Sequence, residues 1–267
     1  MTLCVTYITD SGKAVSLTDS LLTTTRKSPD KGAFLPSDQE IVHQTPFAVK
    51  FHNISGVRAY FGRNIDILTA IAGNVSLGLQ CTLHIETYLK FGYTLWYNDI
   101  KNAIEDKVLD FWCDSRDKQI QMSFALFDHK LNPQLIECHA DDAGNIYFQS
   151  IKSENGFALS VLGDGSEEVK EQILNKINTL QYQYEDFDTA IHIACVSVLQ
   201  ENINDSSKIF IGGNIQGGRL NKYDGEYLVI DYGDNLFLRG TKLDCYDNLE
   251  LPIMDMSDGL YTIAKNA

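Results

Sequence analysis

Basic residues are scarce in this chain: 22 lysines and arginines stand against 36 aspartates and glutamates, a formal net charge of −14. That deficit excludes nucleic-acid binding through a general basic face. Acidity by itself speaks to solubility and does not name a substrate. No apolar run is long enough to cross a bilayer, so no membrane partner is expected. The start lacks the basic flank and continuous apolar stretch of a secretory signal, which points to a cytoplasmic protein. The six cysteines, Cys4, Cys81, Cys113, Cys138, Cys195 and Cys245, show no Cys-x-x-Cys spacing. Most sit in apolar segments, which suits reduced, packed thiols better than a disulfide frame or a zinc site. No two histidines stand at metal-ligand spacing, so neither metal catalysis nor a cofactor is expected. His192 reads as a core or surface residue of a helix, and His52 has no visible partner. The glycine clusters lack the strand–GxGxxG–helix or P-loop setting of a nucleotide site.

What is present is an ordinary globular composition, 44% hydrophobic and 22% charged over 267 residues, enough for a sizeable core. The first twenty residues organise the reading. Two short β-branched and apolar segments flank Asp10-Ser11-Gly12, the signal of a β-hairpin. Leu3, Val5 and Tyr7 fall on one face of the first arm, and Thr2, Cys4, Thr6 and Ile8 on the other. With Asp10-Ser11 as a two-residue loop, Asp19 stands opposite Thr2; with Ser11-Gly12 as the loop, it stands opposite Cys4. Paired residues have Cβ atoms roughly 5 Å apart, so either register sets a carboxylate beside the chain start. Thr is small enough for a preceding Met to be removed, which leaves Thr2 with a free α-amine. Such an amine, with an unperturbed pKa of about 7.7–8.0, can take the hydroxyl proton and activate the threonine as a nucleophile.

Along the chain, residues 23–45 are polar and carry Pro29, Gly32 and Pro36, a long surface loop on this reading. Strands are expected over Phe47–Ile54, Val57–Phe61 and Ile65–Ile71, and a helix opening at Ala72-Gly73-Asn74 and running to about Phe91. A second helix is expected over Leu95–Trp112. Four strands follow, at Gln121–Phe127, Gln134–His139, Asn145–Ser150 and Phe157–Leu162. Ser166 is a possible N-cap for a helix to Leu180, and another helix covers Asp188–Glu201. Lys208–Ile211 reads as a strand, Gly212–Gly218 as a glycine-rich loop, and Glu226 onward as strand-like. Hairpins alternating with helix pairs predict an α+β, four-layer αββα sandwich of two antiparallel sheets flanked by helices. Residues 1–220 would form this domain, with 221–267 a strand-rich extension packed on it.

The layer order and the threonine at the start resemble the proteasome β-subunit branch of the N-terminal-nucleophile (Ntn) hydrolases. The opening Met1-Thr2-Leu3-Cys4-Val5, the turn at Asp10-x-Gly12 and the pair Asp19-Ser20 are similar to the bacterial proteasome-like proteins called Anbu. Ala72-Gly73-Asn74 resembles the Ala-Gly-Asn that begins the first long helix there. Leu162-Gly163-Asp164-Gly165 resembles the glycine-bearing turn into a later helix.

The resemblance implies a threonine peptidase or amidohydrolase with Thr2 as nucleophile and its α-amine as base. It implies that Asp19 orients and charge-balances a lysine beneath the nucleophile. Lys50 is the choice, with Lys27 and Arg58 as alternatives. The Gly73 N–H would donate to the oxyanion. Asp164 stands where the family has a supporting serine. Ser206 and Ser207, after Asp205, approximate the family's Asp…Ser support, with Glu201 or Asn202 as alternatives. The implied partners are a peptide or protein substrate and further copies of the chain in a ring or spiral. A noncatalytic proteasome-fold subunit, or an Ntn amidase acting on a small amide, are the other readings.

Overall fold

The computed structural model describes residues 2–27, 39–45, 48–91, 96–113, 120–140, 145–221, 224–231, 236–238, 241–242, 253–256 and 263–264. The elements run β1 Leu3–Thr9, β2 Ala14–Thr18, β3 Leu22–Lys27, β4 Gln39–Thr45, β5 Phe51–Ala59, β6 Arg63–Gly73, α1 Val75–Lys90 and α2 Tyr97–Cys113. Next come β7 Ile120–Phe127, β8 Pro133–Ala140, β9 Ile146–Ile151, β10 Phe157–Gly163, α3 Ser166–Leu180 and α4 Phe187–Asn204. Then follow β11 Gln216–Asn221, β12 Asp224–Tyr227, β13 Val229–Asp231, β14 Leu236–Leu238, β15 Thr241–Lys242, β16 Ile253–Asp255 and β17 Ile263–Ala264.

Two antiparallel five-stranded sheets form the centre, in the orders β10-β1-β2-β11-β12 and β5-β6-β7-β8-β9. Period-two alternation divides the side chains of β1 between two different layers. Leu3, Val5 and Tyr7 join Val15 and Leu17 in a buried cluster with Val169, Ile173, Ile191 and Val198 of α3 and α4. From the opposite face Cys4 packs with Ala70 and Ala72 of β6, and Ile8 with Leu68 of β6 and Ala125 of β7. The far face of the second sheet, with Ile67, Ile71 and Phe124, is covered by Cys81, Ile85, Leu89, Ile100 and Ile104 of α1 and α2. The layers therefore run helix pair, sheet, sheet, helix pair, which is the α+β sandwich expected from the element order. Because both faces of β1 are covered, every one of its residues is buried.

Several local expectations are corrected. Val57–Phe61 is not a separate strand: β5 runs through a bulge between Ile54 and Val57, where Gly56 has φ +71°. The stretch 23–45 is not one loop, because β3 and β4 pair as a two-stranded hairpin. Residues 28–38, with Pro29, Gly32 and Pro36, lie outside the described residues, as do Phe47, Leu95 and Cys245. Ser166 does not cap α3 but is its first residue, and Gly165 precedes it in the left-handed region with no side-chain cap. Lys208–Ile211 turns instead of extending, with Lys208 N donating to Asp205 O at 3.0 Å and Ile211 N to Lys208 O at 3.0 Å. Gly212–Gly218 is not a free loop, because β11 begins inside it and pairs with both β2 and β12. The first sheet thus continues past residue 220. Leu228, Ile230 and Met254 from the last part of the chain bury against the α3–α4 side of that sheet.

Candidate active site

The β1–β2 hairpin decides what stands beside Thr2. Its loop has three residues, Asp10-Ser11-Gly12: Gly12 N donates to Thr9 O at 2.9 Å, and Thr9 N to Lys13 O at 2.9 Å. Gly12 has φ +92°, the left-handed conformation a three-residue hairpin loop needs at its last position. The register pairs Cys4 with Thr18, so the next pair outward is Leu3 with Asp19, and Asp19 N donates to Leu3 O at 3.1 Å. Neither two-residue loop expected from sequence forms, and Asp19 stands between the two expected positions.

Asp19 and Lys50 meet in the interior, both side chains fully buried. Lys50 Nζ lies 3.0 Å from Asp19 Oδ1 and 3.1 Å from Oδ2, and it also donates to the Leu21 carbonyl. Asp19 Oδ1 accepts the Leu3 N–H at 2.9 Å, while Oδ2 accepts those of Gly212 at 3.1 Å and Leu21 at 3.3 Å. A buried ion pair is tolerated when its remaining hydrogen-bonding capacity is met in this way. Burial pushes the Asp19 carboxyl above its usual range, while the Lys50 ammonium and the Leu3 and Gly212 N–H groups pull in the opposite direction. Of the alternative cations, Arg58 is exposed at the far end of β5, eight residues from Lys50 and roughly 25 Å along an extended strand. The Lys27 side chain lies outside the described residues.

Thr2 sits directly before the Leu3 amide that Asp19 holds. It is 1% exposed, and its Oγ1 is buried with no hydrogen-bond partner. The Thr2 carbonyl accepts the Asp164 N–H at 3.0 Å, so the Gly163-Asp164-Gly165 turn closes on the chain start. Gly163 has φ +107°, and a Cβ there would lie 1.6 Å from the Thr2 carbonyl oxygen. Only glycine fits that approach. Asp164 is thereby brought to Thr2 through its backbone.

Gly73 ends β6 opposite Ile120, with φ +85°, and follows the Ala72 that packs on Cys4. Asn74 caps α1, its side chain accepting the Leu77 N–H at 3.1 Å. The start of α1 therefore lies at the same end of the sheets as Thr2. Ser206 and Ser207 are not drawn in: both are exposed in the turn after α4, where Ser207 Oγ donates to Asp205 Oδ1 at 2.7 Å. Asp205 serves as the C-cap position of α4, which is why this polar run turns outward. Glu201 is on the surface, 2.5 Å from Lys176 Nζ, and Asn202 holds the Val198 carbonyl and Lys208.

Cys4, two residues from Thr2 on the same strand face, donates its thiol to Ile71 O at 3.3 Å. Burial, reinforced by the Asp19 charge, pushes that thiol far above its ordinary pKa and leaves it a poor nucleophile. His52 does have a partner, Glu86 of α1, with Nε2 to Oε2 at 2.8 Å. His192 Nδ1 meets the Tyr7 hydroxyl at 2.8 Å in the α4 core. Among the described residues no group of three or more His, Cys, Asp or Glu side chains is arranged to hold a metal ion.

Two side-chain amides, the half-buried Gln121 and the fully buried Gln216, escaped the sequence reading. Gln121 Oε1 accepts the Gly163 N–H at 2.7 Å, tying β7 to the turn that holds Thr2. Gln216 reaches the backbone of Asp19, Ala48 and Lys50. Gln121 falls among the alternating residues of a strand and Gln216 among glycines, so neither carries a local signal.

No protein-family model matches the chain, and comparison with characterised protein sequences gives no match. Comparison with solved structures finds a mutant form of Anbu from Hyphomicrobium sp. strain MC1, 12% identical with a TM-score of 0.52, covering 85% of this chain and 86% of that one. At that identity the likeness is one of fold, and the chain has the layered sandwich of the proteasome-like N-terminal-nucleophile proteins.

Proposed function

We propose that the chain is a threonine hydrolase of the proteasome-like kind, acting on peptide bonds once Met1 has been removed. The observation that carries this reading is the buried Asp19–Lys50 pair fastened to the Leu3 amide, directly after a threonine whose hydroxyl makes no hydrogen bond.

In the proposed reaction the Thr2 α-amine takes the hydroxyl proton, and Oγ1 attacks the substrate carbonyl to give a tetrahedral oxyanion. The backbone N–H of Gly73 is proposed to donate to that oxyanion; losing a donor of this kind typically costs about 100- to 1,000-fold in rate. The α-ammonium hands the hydroxyl proton to the leaving nitrogen, and expulsion of the amine leaves an ester on Thr2 and a neutral α-amine. Water, deprotonated by the same α-amine, then releases the acid and restores the threonine. The Lys50 ammonium favours the ionised oxygen and lowers the amine's pKa, and Asp19 balances its charge. Asp164 is proposed to shape the site from the turn that binds the Thr2 carbonyl. Ser206 and Ser207, exposed beyond α4, would act at most through the Asp205 turn. By analogy with the fold, the working form is a cytoplasmic ring or spiral of identical chains with Thr2 facing an inner surface. Neither metal nor cofactor has a part in this mechanism.

One observation favours a noncatalytic, structural subunit instead: Thr2 is 1% exposed, and a buried hydroxyl meets no substrate. Removal of residue 1 separates the two readings, because it frees the amine that the hydrolase needs and the structural subunit does not. The test is labelling by a threonine-directed electrophile such as a peptide epoxyketone, with the adduct located by mass spectrometry. An adduct on Thr2 that is lost in Thr2→Ala supports the hydrolase. No adduct on a chain that begins at Thr2 supports the structural subunit.

A further inference from the structure

Gln216 is fully buried at the first position of β11, paired with Thr18 one residue before Asp19. Its amide Nε2 donates to the Asp19 carbonyl at 3.2 Å and to the Ala48 carbonyl at 2.7 Å. Its Oε1 accepts the Lys50 N–H at 3.3 Å. One side chain thus joins the backbone of the aspartate to the backbone on either side of residue 49.

Asp19 directly follows β2 of the first sheet, whereas Lys50 leads into β5 of the second. The ion pair therefore spans the gap between sheets, and its geometry depends on how the two backbones are held apart. The strand carrying Gln216 is closely seated: a Cβ on Gly217 would lie 2.2 Å from Ser16 O, and one on Gly218 would lie 2.5 Å from the Phe51 ring. The amide is accordingly projected from a fixed base, and the 48–50 segment is also tied through its own backbone, Ala48 N donating to Ser20 O at 2.9 Å and Ile71 N to Lys50 O at 3.0 Å.

We propose that Gln216 is a positioning residue that sets the Lys50 ammonium against Asp19 beneath Thr2, an inference that rests on the threonine-hydrolase reading above. The residue type follows from the bonding pattern. Two carbonyls and one N–H require two donors and one acceptor on a planar group, which an amide supplies without titrating. Asn is one methylene short of the same reach. A neutral Glu supplies one donor and one acceptor, and an ionised Glu turns acceptors toward both carbonyls.

The test compares wild type, Gln216→Glu and Gln216→Met, each beginning at Thr2, by the rate of epoxyketone labelling across pH. Circular dichroism at each pH confines the comparison to folded protein. Gln216→Glu is expected to come closest to the wild-type rate in acid, where its neutral carboxyl keeps one of the two donors and the acceptor, and to fall by about 100-fold further below wild type as that group ionises, the scale of a displacement of about 1 Å. Gln216→Met is expected to label slowly at every pH. Folded variants that keep the wild-type rate and pH profile overturn the proposal. A merely structural role would lower stability without reshaping the profile of the folded enzyme. The nitrogen NMR signal of the Lys50 ammonium, assigned by its loss in Lys50→Met, is read in parallel. If wild type does not label, the hydrolase reading fails, and this signal decides alone: movement in Gln216→Glu with pH supports the clamp, and an unmoved signal in both variants overturns it.

Discussion

The carboxylate of Asp19 accepts the backbone N–H of Leu3 at 2.9 Å, across the pair that ends the first hairpin. The first peptide unit after Thr2 is thereby fixed to the same group that holds Lys50. One aspartate thus joins the geometry of the chain start to the buried charge of Lys50, and the consequences are measurable.

Removing one member of the pair leaves the other charged and buried. Lys50→Met is expected to destabilise the chain by about 3–5 kcal/mol in urea unfolding, the usual cost of breaking a fully buried pair. Asp19→Asn combined with Lys50→Met is expected to recover much of that loss, since no uncompensated charge remains. A double variant as unstable as the single one would contradict this account.

The pH dependence has a definite sign. Burial raises the Asp19 carboxyl in the folded chain above the value of about 3.9 it has when unfolded. Between those two values the folded state holds a proton that the unfolded state has lost. The contribution of this group to stability is therefore complete below the unfolded pKa and declines as pH rises through the folded one. The stability of wild type relative to Asp19→Asn is expected to fall over that window in urea titrations at successive pH values. A relative stability that rises with pH there would show the carboxyl depressed instead.

Two glycines with positive φ separate conformation from contact. Gly12→Ala meets open space and is expected to cost about 1 kcal/mol through backbone conformation alone. Gly163→Ala adds a carbon 1.6 Å from the Thr2 carbonyl oxygen and must displace the chain start. It is expected to cost about 3 kcal/mol or more, combining left-handed strain with overpacking. Thermal unfolding of the two variants checks the order.

The buried thiols are expected to be inert. Burial raises Cys4, Cys138 and Cys195 well above the ordinary range and brings Cys81 to about 12. In a variant with Cys113 and Cys245 changed to Ser, iodoacetamide should modify none of the four in native buffer and all four in urea. Rapid native alkylation at Cys4 would reopen it as a nucleophile.

The layer order was legible because it depends on period: alternation in β1, β7 and β10 and helical spacing in α1 and α4 act over many residues. Features set by one or two residues were not. The hairpin register turned on whether Gly12 closes a loop of two residues or three. The bulge at Ser55-Gly56 looked like a strand end because glycine marks both. Lys208–Ile211 has strand-like composition, but Asp205 captures the Ser207 N–H and hydroxyl and turns the chain first. In the candidate site, Asp19 and Lys50 could be paired from their places in the chain and the family resemblance. Gln216, Gln121 and Glu86 as the partner of His52 could not, because each acts across elements far apart in sequence.

The central claim is that Thr2 becomes the first residue and works through its own amine. Intact mass and terminal sequencing of protein purified without an amino-terminal tag test it most directly. The expected result is a chain that begins at Thr2 and lacks the mass of Met1; a chain that retains Met1 would contradict the proposed chemistry outright.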